Sequence, residues 1–218
     1  VFANLILVNK MSKSQTGVGG LSRKLSAILA TTVMLSLGAY ANEVYIEQVG
    51  SGSTINITQQ GTDNRIGDAA TPAYIGSGSN TVTIEQIGAT NTLDMVVNGA
   101  GTDVVVTTSG DNNVQTINCG TTQSAGCSGS YIKQQVTGDS NTVIQDLGSG
   151  ANHTSEITVS GDNNSVTHTS TATGVASANI TVSGNTNTVG VTQSGMLNNS
   201  VTVTSTGNSN TVNITQSD

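Results

Sequence analysis

Short bursts in which every second residue is apolar recur along most of the chain. Val44 and Ile46, Ile55 and Ile57, Val82 and Ile84, Val189 and Val191, Val201 and Val203, and Val212 and Ile214 each enclose a single residue, Asn or Thr in four of the pairs, Tyr45 in the first and Gly190 in the fourth. A period of two puts such a pair on one face of a β-strand. Each burst opens two residues earlier with Asn or Ser, and in the best copies it closes two residues later with Gln. The leading amide or hydroxyl and the trailing Gln therefore share the inward parity of the aliphatics. Thr81, Thr83, Thr202, Thr204, Thr211 and Thr215 have the opposite parity and face out.

Glycines punctuate the bursts at a regular interval. Residues 53–64 (STINITQQGTDN), 80–91 (NTVTIEQIGATN) and 187–198 (NTVGVTQSGMLN) all read Ser/Asn-x5-Gln-x-Gly-x2-Asn/Ser. The same frame opens at Asn42, Gln48, Gly50 and Ser53 and returns at Asn210 and Gln216. The fixed positions are thus Asn42, Gln48, Gly50, Ser53, Gln59, Gly61, Asn64, Asn80, Gln86, Gly88, Asn91, Asn187, Gln193, Gly195, Asn198, Asn210 and Gln216. Weaker copies set Gly110 before Asn113, Gly138 before Asn141, Gly161 before Asn164 and Gly207 before Asn210. Two units, around Ile157 and Ile180, reach their glycine two residues early, which preserves the parity that a one-residue deletion would flip.

Gly-x2-Asn corners hold residue types that accept positive φ and bond their own backbone, so they read as turns between short strands. One unit is about 11–12 residues, and two strands with two turns make a coil of about 22–23 residues. The predicted fold is all-β: a β-solenoid or β-arcade of stacked two-strand coils, about seven to eight of them at a spacing of about 4.8 Å. Buried amides cost several kcal/mol when unpaired. In a stack, each inward Asn or Gln can donate to the same residue one coil away, and the ladder runs along the axis as it does in amyloid.

Composition then makes sense. Only 34% of residues are hydrophobic and 2% aromatic, with no Trp and one Phe, too little for a conventional two-layer core. Charged residues are 9%, however, and Thr, Asn and Gly dominate over the Pro, Lys and Glu of disordered chains.

Residues 1–41 stand apart. Lys10, Lys13, Arg23 and Lys24 precede the uncharged stretch LSAILATTVMLSLGAYA, which ends in Ala39-Tyr40-Ala41. Residues 11–41 therefore read as a secretory signal peptide cut after Ala41. A membrane anchor is the alternative, but the stretch is short of the ~20 apolar residues a spanning helix needs. Residues 1–10 read as an extension upstream of a start at Met11, and neither segment enters the expected fold. Residues 42–218 form the repeat domain, with insertions near 68–78 and 118–129. They hold all 13 acidic residues of the chain but, among bases, only Arg65 and Lys133, which makes nucleic acid an unsuitable partner. Cys119 and Cys127 flank a Gly/Ser/Thr-rich loop. An exported protein meets oxidising conditions, so a local disulfide is the expectation, with half a zinc site as the alternative.

Ser-x5-Gln-x-Gly-x2-Asn, repeated after an export signal, resembles the curlin repeat of the major and minor curli subunits, bacterial functional amyloids. Ser53, Gln59, Gly61 and Asn64 match every fixed position, and the resemblance extends over 42–218. The departures are Thr108 and Ser205 in place of Gln, the two insertions, and the Thr/Ser-rich tract Thr167 to Ser177. No leading targeting segment separates Asn42 from the first repeat. The resemblance implies a subunit of a Gram-negative bacterium, secreted to extracellular fibres that serve adhesion and biofilm cohesion. Its implied partners are itself as a homopolymer, a nucleator subunit and an outer-membrane export pore. The residues add their own reason: 42–48 and 210–216 would form two uncapped edges, each carrying an inward Asn, two aliphatics and Gln.

Asp63, Asp111, Asp139 and Asp162 sit in turns, and Glu47, Glu85 and Asp103 point outward, either as gatekeepers against premature pairing or as ordinary solvated surface. The Gly-Gly-x-Gly-x-Asp pattern of calcium β-rolls is absent, and no metal or other cofactor is expected. Nor is an enzyme expected: His153 and His168 stand beside no nucleophile, and two bases cannot furnish a catalytic cluster. The alternative reading is another secreted β-solenoid, ice-binding or adhesin-like, with Thr-x-Thr pairs on its surface. Glu85, Asp94, Asp103, Lys133 and Asp146 would interrupt such a face.

Overall fold

The computed structural model describes residues 4–9, 41–49, 51–76, 78, 80–97, 103–120, 131–148, 153–171, 175–194 and 199–217. Every helix or strand among them is a strand. They wind into a β-solenoid with two parallel walls.

The first wall stacks Glu43–Gln48, Arg65–Ile66 with Ala73–Ile75, Thr92–Asp94 with Val96–Val97, Val114–Thr116, Thr142–Ile144, Ser165–Ser170, Thr188–Ser194 and Thr211–Ser217. The second stacks Thr54–Thr62, Thr81–Ala89, Asp103–Ser109, Val136–Thr137, Ile157–Ser160, Ile180–Ser183 and Val203–Thr206. A short strip, His153–Thr154, Ala176–Ser177 and Asn199–Ser200, leads into the last three of these. The second wall is seven strands deep. Six steps of about 4.8 Å make it roughly 29 Å tall.

Register follows the sequence pattern closely. Ile55, Ile57 and Gln59 lie on Val82, Ile84 and Gln86, and these lie on Val104, Val106 and Thr108. The units around Ile157 and Ile180 keep the inward face but sit two places further along it, with Val159 and Val182 in the column of Gln86 and Thr108 and Ile157 on Ile180 on Val203. Two aliphatics per strand fill the interior, among them Ile55, Val82, Val104, Val143, Val166 and Val189, all buried. The Thr/Ser-rich tract takes part too: Ser165–Ser170 pairs with both of its neighbours.

Insertions enter without breaking the stack. Arg65 lies on Glu43 at an offset of 22 residues and Ala73 on Ile46 at an offset of 27, so the extra residues form a bulge between Ile66 and Ala73. Only part of the stretch 68–78 therefore leaves the wall, because Ala73–Ile75 return to it. Asp68 closes the bulge by accepting the Ala70 and Thr71 amides at 2.8 and 2.6 Å, and these bonds hold its carboxyl below the usual range. The second insertion distorts its coil more. Lys133, Gln134 and Gln135 follow it with three consecutive positive φ values of 118, 82 and 50°. Lys133 there pairs with Glu156 of the next coil, and that hydrogen bond raises its pKa.

Asn4–Asn9 pairs in parallel with Glu43–Gln48. These residues, expected to stay outside the fold, cover its first edge. The sequence reason is an apolar run, Leu5 to Val8, that an edge strand with aliphatics at Val44 and Ile46 can accept.

The walls meet at a corner where glycine is obligatory. Gly61, Gly88, Gly110, Gly138, Gly161, Gly184 and Gly207 all have φ between 99 and 125°. A Cβ added at Gly110 would lie 2.1 Å from the Gly138 oxygen, and at Gly184 2.2 Å from the Gly207 oxygen. Gly110→Ala thus combines a forbidden φ with a backbone clash, and should lower stability by about 3 kcal/mol or more, read from the urea midpoint.

Candidate assembly surfaces and ladders

Each corner closes on an asparagine whose side chain enters the core. Asn42, Asn64, Asn91, Asn113, Asn141, Asn164, Asn187 and Asn210 form one column. All but Asn210 are almost wholly buried. The side-chain oxygen of each of the first six, Asn42 to Asn164, accepts two bonds from the next coil, one from the backbone N–H and one from the amide. For Asn113 to Asn91 these are 3.0 and 3.1 Å, for Asn141 to Asn113 both 3.0 Å, and for Asn164 to Asn141 2.9 and 3.0 Å. The Asn210 backbone N–H donates to Asn187 at 2.9 Å. The amides of Asn64, Asn91, Asn113 and Asn141 also donate to the glycine carbonyl one coil on, at 2.7–2.8 Å. Asparagine and glycine columns are thereby stitched together.

The corner chemistry differs from the expectation that these asparagines take the positive φ. That conformation falls on the glycine and on the residue before each Asn: Asp63, Thr90, Asn112, Ser140, Asn163, Thr186 and Ser209, all near 60°. The reason is that the Asn immediately precedes the next strand, with the inward parity of its core residues, and its amide must point along the axis.

Glutamine does not form a continuous ladder. Gln59 donates to Gln86 at 2.8 Å and Gln193 to Gln216 at 3.2 Å, but the first pair lies in the second wall and the other in the first. Above Gln86 the column continues with Thr108, Val136, Val159, Val182 and Ser205. Gln48 is half-buried and faces Ile75. At the other corner Ser53 and Asn80 form a short pair, with the Asn80 amide donating to Ser53 at 3.4 Å. Gly50, Gly195 and Asn198 lie outside the described residues. Cys119 is buried and disulfide-bonded; Cys127 is the other cysteine of the chain and lies outside the described residues.

Two further arrays went unread in the sequence. The residue after each of five successive corner glycines accepts a backbone N–H from the coil before: Asp111 from Ala89, Asp139 from Asp111, Asp162 from Asp139, Asn185 from Asp162 and Asn208 from Asn185, at 2.7–2.9 Å. The recurrent Asp or Asn after Gly110, Gly138, Gly161, Gly184 and Gly207 was the available signal. Inside, polar groups run through the middle coils. Gln115 donates to Thr108 and Gln134 to Gln115, while His168 sits between Ser155 and the Gln193 oxygen. His168 is thus a core residue. His153 lies in the strand His153–Thr154. Among the described residues, no three His, Cys, Asp or Glu come together to hold a metal ion.

A family model, the curlin associated repeat, matches residues 39–61. The chain is curlin-like. The matched segment spans the first coil of the curlin-like array, through the strand Glu43–Gln48 and on to Gly61. No curated protein and no solved structure matches the chain.

Asn141 tests the ladder of this curlin-like fold. Asn141→Ala strands the Asn164 backbone N–H and amide in the core and should cost about 2–4 kcal/mol. Asn141→Asp accepts as before but, ionised, cannot donate to Asn113. Protonated, its single O–H replaces one of the two donations that Asn141 makes, to Asn113 and to the Gly161 carbonyl, so the variant should recover part of the lost stability at low pH and lose it again as pH climbs past the unfolded carboxylate value of about 4. Urea titrations at acid and neutral pH check both.

Proposed function

We propose that the curlin-like chain is a structural, non-enzymatic subunit that polymerises outside the cell by continuing its solenoid into further copies. The observation that carries this reading is the state of the last rung. Asn187, Val189, Val191 and Gln193 are each at most 2% exposed, whereas Asn210, Val212, Ile214 and Gln216, one coil later in the same columns, are all part-exposed. Among the described residues, nothing pairs with the outer side of Thr211–Ser217. A second copy brings the residue types that every earlier rung receives: Asn, two aliphatics and Gln. A surface that recognises a different surface of its own copy makes an open filament rather than a closed ring. The Gly207 corner supports the same growth, since a Cβ there meets nothing nearer than the Asn210 amide at 3.5 Å and the space above is open.

Fibre formation, adhesion and biofilm cohesion, with delivery through an outer-membrane pore and seeding by a nucleator subunit, complete the proposal by likeness to curli. The chain beginning at Asn42 should assemble into thioflavin-binding fibres with a ~4.7 Å meridional reflection. A monodisperse monomer that persists at high concentration contradicts the reading.

One observation favours ice binding as a second reading. From Asn163 to Ser217 no residue is charged, and outward Thr188 and Thr192 lie in register with Thr211 and Thr215. The interrupting charges Glu85, Asp94, Asp103, Lys133 and Asp146 all belong to earlier coils. Thermal hysteresis of the monomer discriminates: a freezing-point gap supports ice binding, and none is expected for a fibre subunit.

A further inference from the structure

The first edge of the solenoid is occupied in the full chain. Asn4–Asn9, sequence NLILVN, runs parallel to Glu43–Gln48 with Leu5 at the register of Val44, Leu7 at that of Ile46 and Asn9 at that of Gln48. Aliphatic, x, aliphatic, x, amide is also the order of Val189, Val191 and Gln193 and of Val212, Ile214 and Gln216 in the last two rungs of the same wall. Those rungs pair like on like, Val189 with Val212, Val191 with Ile214 and Gln193 with Gln216. Residues 4–9 therefore offer the first edge, in the same register classes, what the terminal rung of a second copy would offer it.

We propose that residues 4–9 are an internal mimic of a terminal rung, and that filament growth at the first edge begins only when they leave it. The idea rests on the assembly reading above and names what regulates that same surface. Residues 10–42 connect the mimic to the edge and contain the predicted export signal with its cut after Ala41. Attached, the segment competes at an effective concentration of the order of mM or below, set by the connecting length. Hydrolysis of the Ala41–Asn42 bond by a peptidase, with water giving its hydroxyl to the Ala41 carbonyl and a proton to the Asn42 nitrogen, ends that advantage. A released strand pairs with one wall alone. An arriving copy contributes both walls together with the asparagine and glycine columns, so it displaces the free segment. The arrangement also shields an edge that is a template for unscheduled pairing for as long as the leader remains.

The test compares the full chain with the double variant L5D/L7D, which sets carboxylates at the registers of Val44 and Ile46. Hydrogen exchange on dilute monomer is the first readout. Amides of 43–48 should exchange about tenfold faster or more in the variant, with those of 188–194 unchanged in both. Thioflavin growth is the second: the variant should shorten the lag several-fold and approach the behaviour of the chain beginning at Asn42. Equal exchange of 43–48 in the two chains overturns the pairing. Fibres that form from both with the same lag overturn the control of growth. If the chain beginning at Asn42 forms no fibres, the assembly reading fails and the growth proposal with it, while the exchange result still judges the pairing.

Discussion

At the corner leading from the second wall into the first, each coil lies on the next with no room for a single side-chain carbon. Beside that contact an asparagine is buried, and its two-bond acceptor and two-bond donor are satisfied by the same corner one coil above and below. Both requirements demand identical neighbours. A corner stacked on anything else would leave amides unpaired in a dry interior, at a cost of several kcal/mol. Coil length can vary, as the offsets of 22, 27, 28 and 23 residues along the column show, provided that the corner returns to its place.

The rest of the structure is permissive by comparison. Walls accept a bulge after Ile66 and three consecutive positive φ values at Lys133 to Gln135. Inward positions beyond the asparagine exchange Gln for Thr, Val or Ser, and His168 takes a place in the core. Some polar groups remain without a bond there, including both side-chain atoms of Gln145. A thin interior of two aliphatics per strand loses little from each such exchange, because the corner already fixes the register. That division explains a composition short of large apolar residues: regularity along the axis does what volume does in a globular core.

Strand parity was legible, since alternation needs only the residues themselves. Ile55, Ile57, Val82, Ile84, Val189 and Val191 fall in the core and Thr81, Thr83, Thr202 and Thr204 outside it. The coil length was legible from the glycine spacing. Partners along the axis were harder to read. The three best motif copies mix walls, with Ser53 and Asn80 opening strands of the second and Asn187 a strand of the first, so sequence likeness suggested a glutamine ladder where the structure stacks Gln86 on Thr108. The Asp111 to Asn208 array escaped notice because acidic turn residues suit solvent equally well. The edge pairing of residues 4–9 was hidden by their position upstream of a predicted export signal.

The central claim is that the asparagine column bonds coil to coil, and side-chain amide hydrogen exchange tests it most directly. Asn112 and Asn163 are exposed in the corners next to Asn113 and Asn164, which makes them internal controls. The account predicts that the Nδ2 protons of Asn113, Asn141 and Asn164 exchange only with opening of the fold, far more slowly than those of Asn112 and Asn163. Equal exchange across all five would contradict it.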